Sequence, residues 1–196
     1  MHAKTLSIPA RFNGPPTTGN GGYVCGLLAN EFDGPSEAAL RIPPPLDTPL
    51  QLGRDNDRVF LHHGDALIGE AKPASLSITA PQAPSLAEAR DAATRYRGFN
   101  HAFQTCFVCG SLRAPGDGMH VFAGPMQNRD LFACTWSPGA DLADAQGQVA
   151  PEFIFAALDC PGYWTIPGAG PVIAVLGRYT MALDAPRPRV GEELIV

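Results

Sequence analysis

Charge is scarce in this chain. Charged residues make up 17% of the 196 residues and the formal net charge is -5. A sparse, mildly acidic surface argues against general binding to nucleic acid or to an anionic membrane. No apolar run approaches the ~20 residues needed to cross a bilayer. The opening Met1-His2-Ala3-Lys4-Thr5-Leu6 has no long apolar signal region, so a cytoplasmic protein is expected. Cysteine is too scattered, and at 5 residues too odd in number, for a secreted disulfide framework. There is no Gly-x-Ser-x-Gly elbow, no P-loop and no Gly-x-Gly-x-x-Gly turn. Neither apolar helix described below contains a histidine, which counts against a hydratase or dehydratase built on an Asp/His pair.

Apolar residues, by contrast, reach 45%, with 21 glycines and 20 prolines. That is enough for a sizeable core cut into short elements by many turns. The length allows one large domain or two small fused ones.

Val149–Trp164 organises the rest. Pro151 stands where a first helical residue should, since its missing N–H would have no partner there. Phe153 to Leu158 is an unbroken apolar run, which predicts a helix with no face for water. Asp159 follows among nonpolar neighbours, and Pro161-Gly162 is expected to end or kink the helix. A second apolar helix is predicted over Gly21–Phe32, with Asn20 as its N-cap and Gly34 as its terminator. Its three glycines each cost roughly 1 kcal/mol against Ala, so another backbone or a ligand must come very close.

Strands are expected at Lys4–Phe12, Glu37–Ile42, from Leu50, and in a hairpin, Val59–His63 and Ala66–Ala71, around Gly64-Asp65. Ser75–Thr79 reads as a further strand. Ser85 and Glu88 form a capping-box pair before a surface helix Leu86–Arg95. Further on, Met119–Ala123, Asp130–Trp136, Pro171–Leu183 and Glu192–Val196 are strand-like. The order strand, loop, apolar helix, strand, proline-rich turn, strand thus occurs twice, an architectural repeat in kind and not in residue identity. The second copy stops at Val196 where the first continues into its hairpin. This predicts a C-terminal truncation or an exposed sheet edge, and truncation is the favoured reading.

These residues resemble a known family. Phe12-Asn-Gly-Pro with Gly19-Asn-Gly-Gly-Tyr23, Cys106-Phe-Val-Cys-Gly-Ser-Leu-Arg-Ala-Pro-Gly-Asp-Gly-Met119, and Pro151-Glu-Phe-Ile-Phe-Ala-Ala-Leu-Asp-Cys-Pro-Gly162 are similar to segments of acyl-CoA thioesterase-like double hotdogs. The resemblance spans nearly the whole chain. It implies an α+β double hotdog fold: two curved antiparallel β-sheets, each wrapping a long apolar central helix. Residues 1–80 would form the first repeat, 81–105 a linker with the surface helix, and 106–196 the second repeat. Hotdogs include thioesterases, dehydratases, hydratases and acyl-binding regulators, so the function must be read from the site.

Asp159 is the main catalytic candidate. A buried carboxylate exchanges protons near neutrality and can serve as a general base toward water attacking a thioester; its bland alternative is a polar residue bonding a neighbouring loop. Asn20 is the second candidate. With Gly21, Gly22 and Tyr23 it would form a helix start whose free N–H groups bind the carbonyl oxygen, and Gly162 joins this substrate-binding set. The bland alternative is that the glycines only let two central helices meet. Cys106-x-x-Cys109 is half of a possible zinc site, but no second Cys-x-x-Cys exists. It reads as a tight glycine-containing turn, and Cys160 as core. The expectation is therefore no metal and no cofactor beyond CoA as part of the substrate. The expected function is hydrolysis of acyl-CoA or acyl-carrier thioesters, the alternative a non-catalytic acyl- or CoA-binding protein. The partner is a small-molecule acyl thioester, with no nucleic acid and no membrane. An unpaired edge would invite a homo-oligomer.

Overall fold

Alternation of apolar side chains builds the main sheet. In β3 (Leu50–Asp55) Leu50 and Leu52 point inward, and in β4 (Arg58–His63) Val59 and Leu61 do the same, with Leu52 opposite Leu61. The computed structural model describes residues 4–170 and 172–196. With β1 (Lys4–Leu6), β2 (Ser36–Leu40), β5 (Ala66–Pro73) and a strand from the far end of the chain, Arg178–Met181, these form a six-stranded antiparallel sheet. The β4–β5 hairpin turns at Gly64-Asp65 as expected, with Gly64 at φ 56°.

The apolar helix α1 (Gly21–Ala29) lies against this sheet and buries Val24, Cys25 and Leu28. Asn20 is its N-cap, accepting the Tyr23 N–H at 2.9 Å. The helix ends at Asn30, well before Gly34, where the bonds tighten to i−3: the Glu31 N–H donates to the Leu28 carbonyl at 3.3 Å and the Phe32 N–H to the Ala29 carbonyl at 3.0 Å. The capping box at Ser85 and Glu88 opens α2 (Leu86–Ala93) as expected.

The second apolar helix, α3 (Pro151–Trp164), departs from expectation twice. It does not end at Pro161, which leaves one backbone hydrogen bond unmade, but continues to Trp164 with Thr165 as its C-cap. It also has a wet side, since Leu158 is 50% exposed while Phe153, Phe155, Ala156, Ala157 and Trp164 are buried.

The rest of the second half forms two-residue ladders and no long strands: β6 (Gly124–Pro125) with β7 (Phe132–Ala133), and β8 (Thr135–Trp136) with β10 (Leu194–Ile195). The expected long strand to Leu183 shrinks to Arg178–Met181, β9, which joins the first half's sheet beside β2; Pro171, its expected start, lies outside the described residues. No strand forms at Ser75–Thr79, and the expected strand Lys4–Phe12 stops at Leu6, giving way to a 3-10 turn, Ala10–Phe12. Proline explains much of this, since Pro9 and Pro125 cannot donate to a ladder. No helix among the described residues is long and apolar enough to cross a membrane.

One charged knot on the sheet can be tested directly. Glu70 of β5 is buried and takes both Arg41, whose Nε lies 3.0 Å from Oε1, and Arg58. The Arg41 and Arg58 guanidiniums hold its carboxyl below the usual range. A depressed folded pKa contributes stability that is complete above the unfolded value of about 4.3 and is lost as pH falls through the folded one. Glu70→Gln is expected to cost about 1 kcal/mol at neutral pH, roughly 2–4 °C of Tm. It should also flatten the dependence of Tm on pH below about 4.3, as measured by thermal unfolding at several pH values.

Candidate active site

The two apolar helices cross, and the crossing positions the site. A methyl group on Gly22 would lie 2.5 Å from Asp159 Cβ and 2.9 Å from Ala156 Cα, and one on Gly26 would lie 2.6 Å from Glu152 Cα. Positions rise along one helix as they fall along the other, so α1 and α3 run antiparallel with bare backbone at the seam. The glycines expected to mark a close approach do so, and the approaching backbone is α3.

Asp159 meets the start of α1 at this seam. Its Oδ2 accepts the Gly22 N–H at 2.9 Å, a bond to the positive end of the helix. Burial pushes its carboxyl up to about 7, the Gly22 N–H opposes that rise, and nearby Cys106 adds to it. Asp159 lines a cavity of about 600 Å³ together with Asn20, Gly21, Gly162, Leu176 and Tyr179. Residues of both halves of the chain therefore share one wall.

The other expected site residues divide. Asn20, 3% exposed, spends its Oδ1 on the cap and points Nδ2 at two sulfurs, 3.8 Å from Cys106 and 3.9 Å from Cys160. The Gly22 N–H is taken by Asp159, and Gly22 is not on the cavity wall. Gly21 is on that wall, and its N–H has no protein acceptor among the described residues. Tyr23 turns away from the cavity and stacks among Phe12 and Phe153, with ring centroids 4.6 and 5.5 Å away; burial raises its pKa. Gly162 lines the cavity with open space where a side chain would sit.

Three cavity-wall residues were not assigned a role from sequence. Cys106, Cys109 and Cys160 converge, with all three sulfurs within 4.8 Å of one another. Thiol hydrogen bonds from Cys109 and Cys160 hold Cys106 well below the ordinary thiol range, while those same bonds to Cys106, with burial and the charge at Cys106, push Cys109 and Cys160 up. The loop that carries the first two is firmly set. Gly110 N–H closes onto the Cys106 carbonyl at 2.8 Å, Phe107 N–H bonds Asn13 O at 2.8 Å, and Tyr96 Oη donates to the Cys109 carbonyl at 3.0 Å. Nearby, His101 accepts the Phe103 N–H at Nδ1, so its proton sits on Nε2, which is buried with no partner among the described residues. The available signal for the cluster was Cys160, one residue from Asp159 on the same helix.

No protein-family model and no curated protein matches the chain. Among solved structures, the tesB protein of Mycobacterium avium subs paratuberculosis matches with a TM-score of 0.53 and 13% sequence identity, covering 97% of this chain and 76% of that one. At that identity the likeness is one of fold: the chain shares with that protein a mixed α/β fold with antiparallel sheets.

Proposed function

We propose that the chain hydrolyses acyl thioesters of CoA or of an acyl carrier, on a double-hotdog arrangement, with Asp159 as general base. One observation carries this reading: a carboxylate anchored through Oδ2 on a helix N-terminus, at the wall of a 600 Å³ cavity. Such an anchor leaves the second oxygen, Oδ1, to accept from a water in the cavity. The water oxygen attacks the thioester carbonyl while its proton passes to Asp159. The carbon–sulfur bond then breaks, the thiolate takes that proton from Asp159, which returns to the carboxylate, and a free acid and a thiol leave. Gly21 offers its unpartnered N–H to the carbonyl oxygen, in place of the wider Asn20–Gly22 set that the sequence suggests. Leu158, Ile166, Val175 and Leu176 give the acyl chain an apolar wall.

The test is release of free thiol from a panel of acyl-CoA chain lengths by wild type and by Asp159→Asn. Turnover by wild type that collapses in the variant supports the reading. Turnover at no chain length, or an equally active variant, ends it. Binding of acyl-CoA without turnover would favour the non-catalytic alternative, in which the Asp159–Gly22 bond only pins the helix crossing.

A further inference from the structure

We infer that Cys106, Cys109 and Cys160 form a metal site that takes a thiophilic divalent ion of the zinc class at the cavity wall. A tetrahedral ion with Zn–S bonds of about 2.3 Å places its sulfurs about 3.8 Å apart. Cys106 Sγ and Cys160 Sγ stand 3.9 Å apart, and all three sulfurs fit within 4.8 Å. They need to close by less than an ångström to become three corners of that tetrahedron. A redox pair accounts for the cluster less well, because a disulfide joins two sulfurs and leaves the third without purpose.

A second observation is independent of those spacings. The Asn20 amide, buried and fixed by its capping bond, directs Nδ2 at both Cys106 and Cys160 sulfurs, at 3.8 and 3.9 Å. Thiolate ligands in metal sites rely on such outer donors to hold their charge and orientation. The backbone around Cys106 and Cys109 is also tightly turned, since a methyl on Gly110 would lie 2.5 Å from the Cys106 carbonyl oxygen. Among the described residues no imidazole or carboxylate joins the three sulfurs as a fourth ligand. The fourth position therefore opens on the cavity that all three cysteines line, the arrangement of a site that accepts water or a ligand. Each thiol that ligates gives its proton to solvent, so uptake releases protons. The sequence pointed the other way because Cys106-x-x-Cys109 is only half a site, and its third member lies on α3.

The inference does not rest on thioester hydrolysis, and its test reads metal, not turnover. The full chain, stripped with a chelator under reducing conditions, is titrated with Zn²⁺ alone, and bound metal is measured by elemental analysis after gel filtration. The expected result is one equivalent per chain. Co²⁺ in its place should give a sulfur-to-cobalt charge-transfer band. Cys160→Ser is expected to weaken Zn²⁺ binding by more than the about 10–100-fold that loss of an outer-shell partner costs, and to lower the intensity of the band. Its Tm should match that of metal-free wild type, and Cys134→Ala, away from the cluster, should keep full uptake. Failure of wild type to retain Zn²⁺, or Cys160→Ser binding as tightly as wild type, overturns the inference. So does a Cys106–Cys160 disulfide that persists in the reducing buffer and excludes the ion.

Discussion

Gly22→Ala is expected to destabilise the protein by about 2 kcal/mol, lowering Tm by roughly 4–8 °C. The added methyl would meet Asp159 Cβ at 2.5 Å, Ala156 Cα at 2.9 Å and the Phe155 carbonyl oxygen at 3.0 Å. Two of those three atoms are backbone, which cannot rotate away as a flexible side chain would. The helices must part, and every buried contact along the seam loosens with them. The gain in helix propensity works the other way, at about 1 kcal/mol in a helix interior and less in the first turn, and does not cancel the clash. Gly26→Ala should behave alike, because its methyl would lie 2.6 Å from Glu152 Cα. Gly34→Ala is the contrast. Nothing lies within 4 Å of its added methyl, so thermal unfolding should show little change. A Gly22→Ala variant as stable as wild type would mean that the two helices do not meet as closely as described.

Asp159→Asn is expected to lower kcat for acyl-CoA hydrolysis by about 10²–10⁴-fold, the usual contribution of a positioned base. Asn is the informative replacement because its carbonyl oxygen can still accept the Gly22 N–H that anchors Asp159 at 2.9 Å. The helix crossing should then survive, with Tm close to wild type, while the oxygen able to take a proton is gone. KM should move much less than kcat, since the apolar wall that holds the acyl chain is untouched. A large fall in Tm alongside the loss of rate would instead assign Asp159 to the seam. Steady-state kinetics and thermal unfolding on the same preparation separate the two outcomes.

Features set by neighbours in the chain were legible before any coordinates. The Gly64-Asp65 hairpin, the Ser85–Glu88 capping box and the Asn20 cap each depend on residues within a few positions of one another. The glycines of α1 also announced a close backbone, because three of them in one short helix have no local explanation. Features set by distant partners were not legible. The chemistry of Pro161 favours a break, yet α3 continues through it, its buried side chains packed against α1 and the core. Arg178–Met181 pairs with β2 from the other half of the chain, and no local pattern announces that exchange. At the site, Asp159 and the start of α1 were legible as separate candidates, and the fold brings them together. What could not be read was that the Gly22 N–H would be spent on Asp159, leaving Gly21 as the free donor. Cys160 likewise became part of a cluster only when α3 brought it to the Cys106 loop.

In the proposed mechanism Asp159, held at the cavity wall by Gly22, activates water against a thioester. The measurement that meets it most directly is a single-turnover assay of acyl-CoA hydrolysis, with enzyme in excess, comparing wild type with Asp159→Asn at matched stability. Wild type should release thiol in a first-order phase that slows at least about a hundredfold in the variant. Equal rates in the two proteins would contradict it.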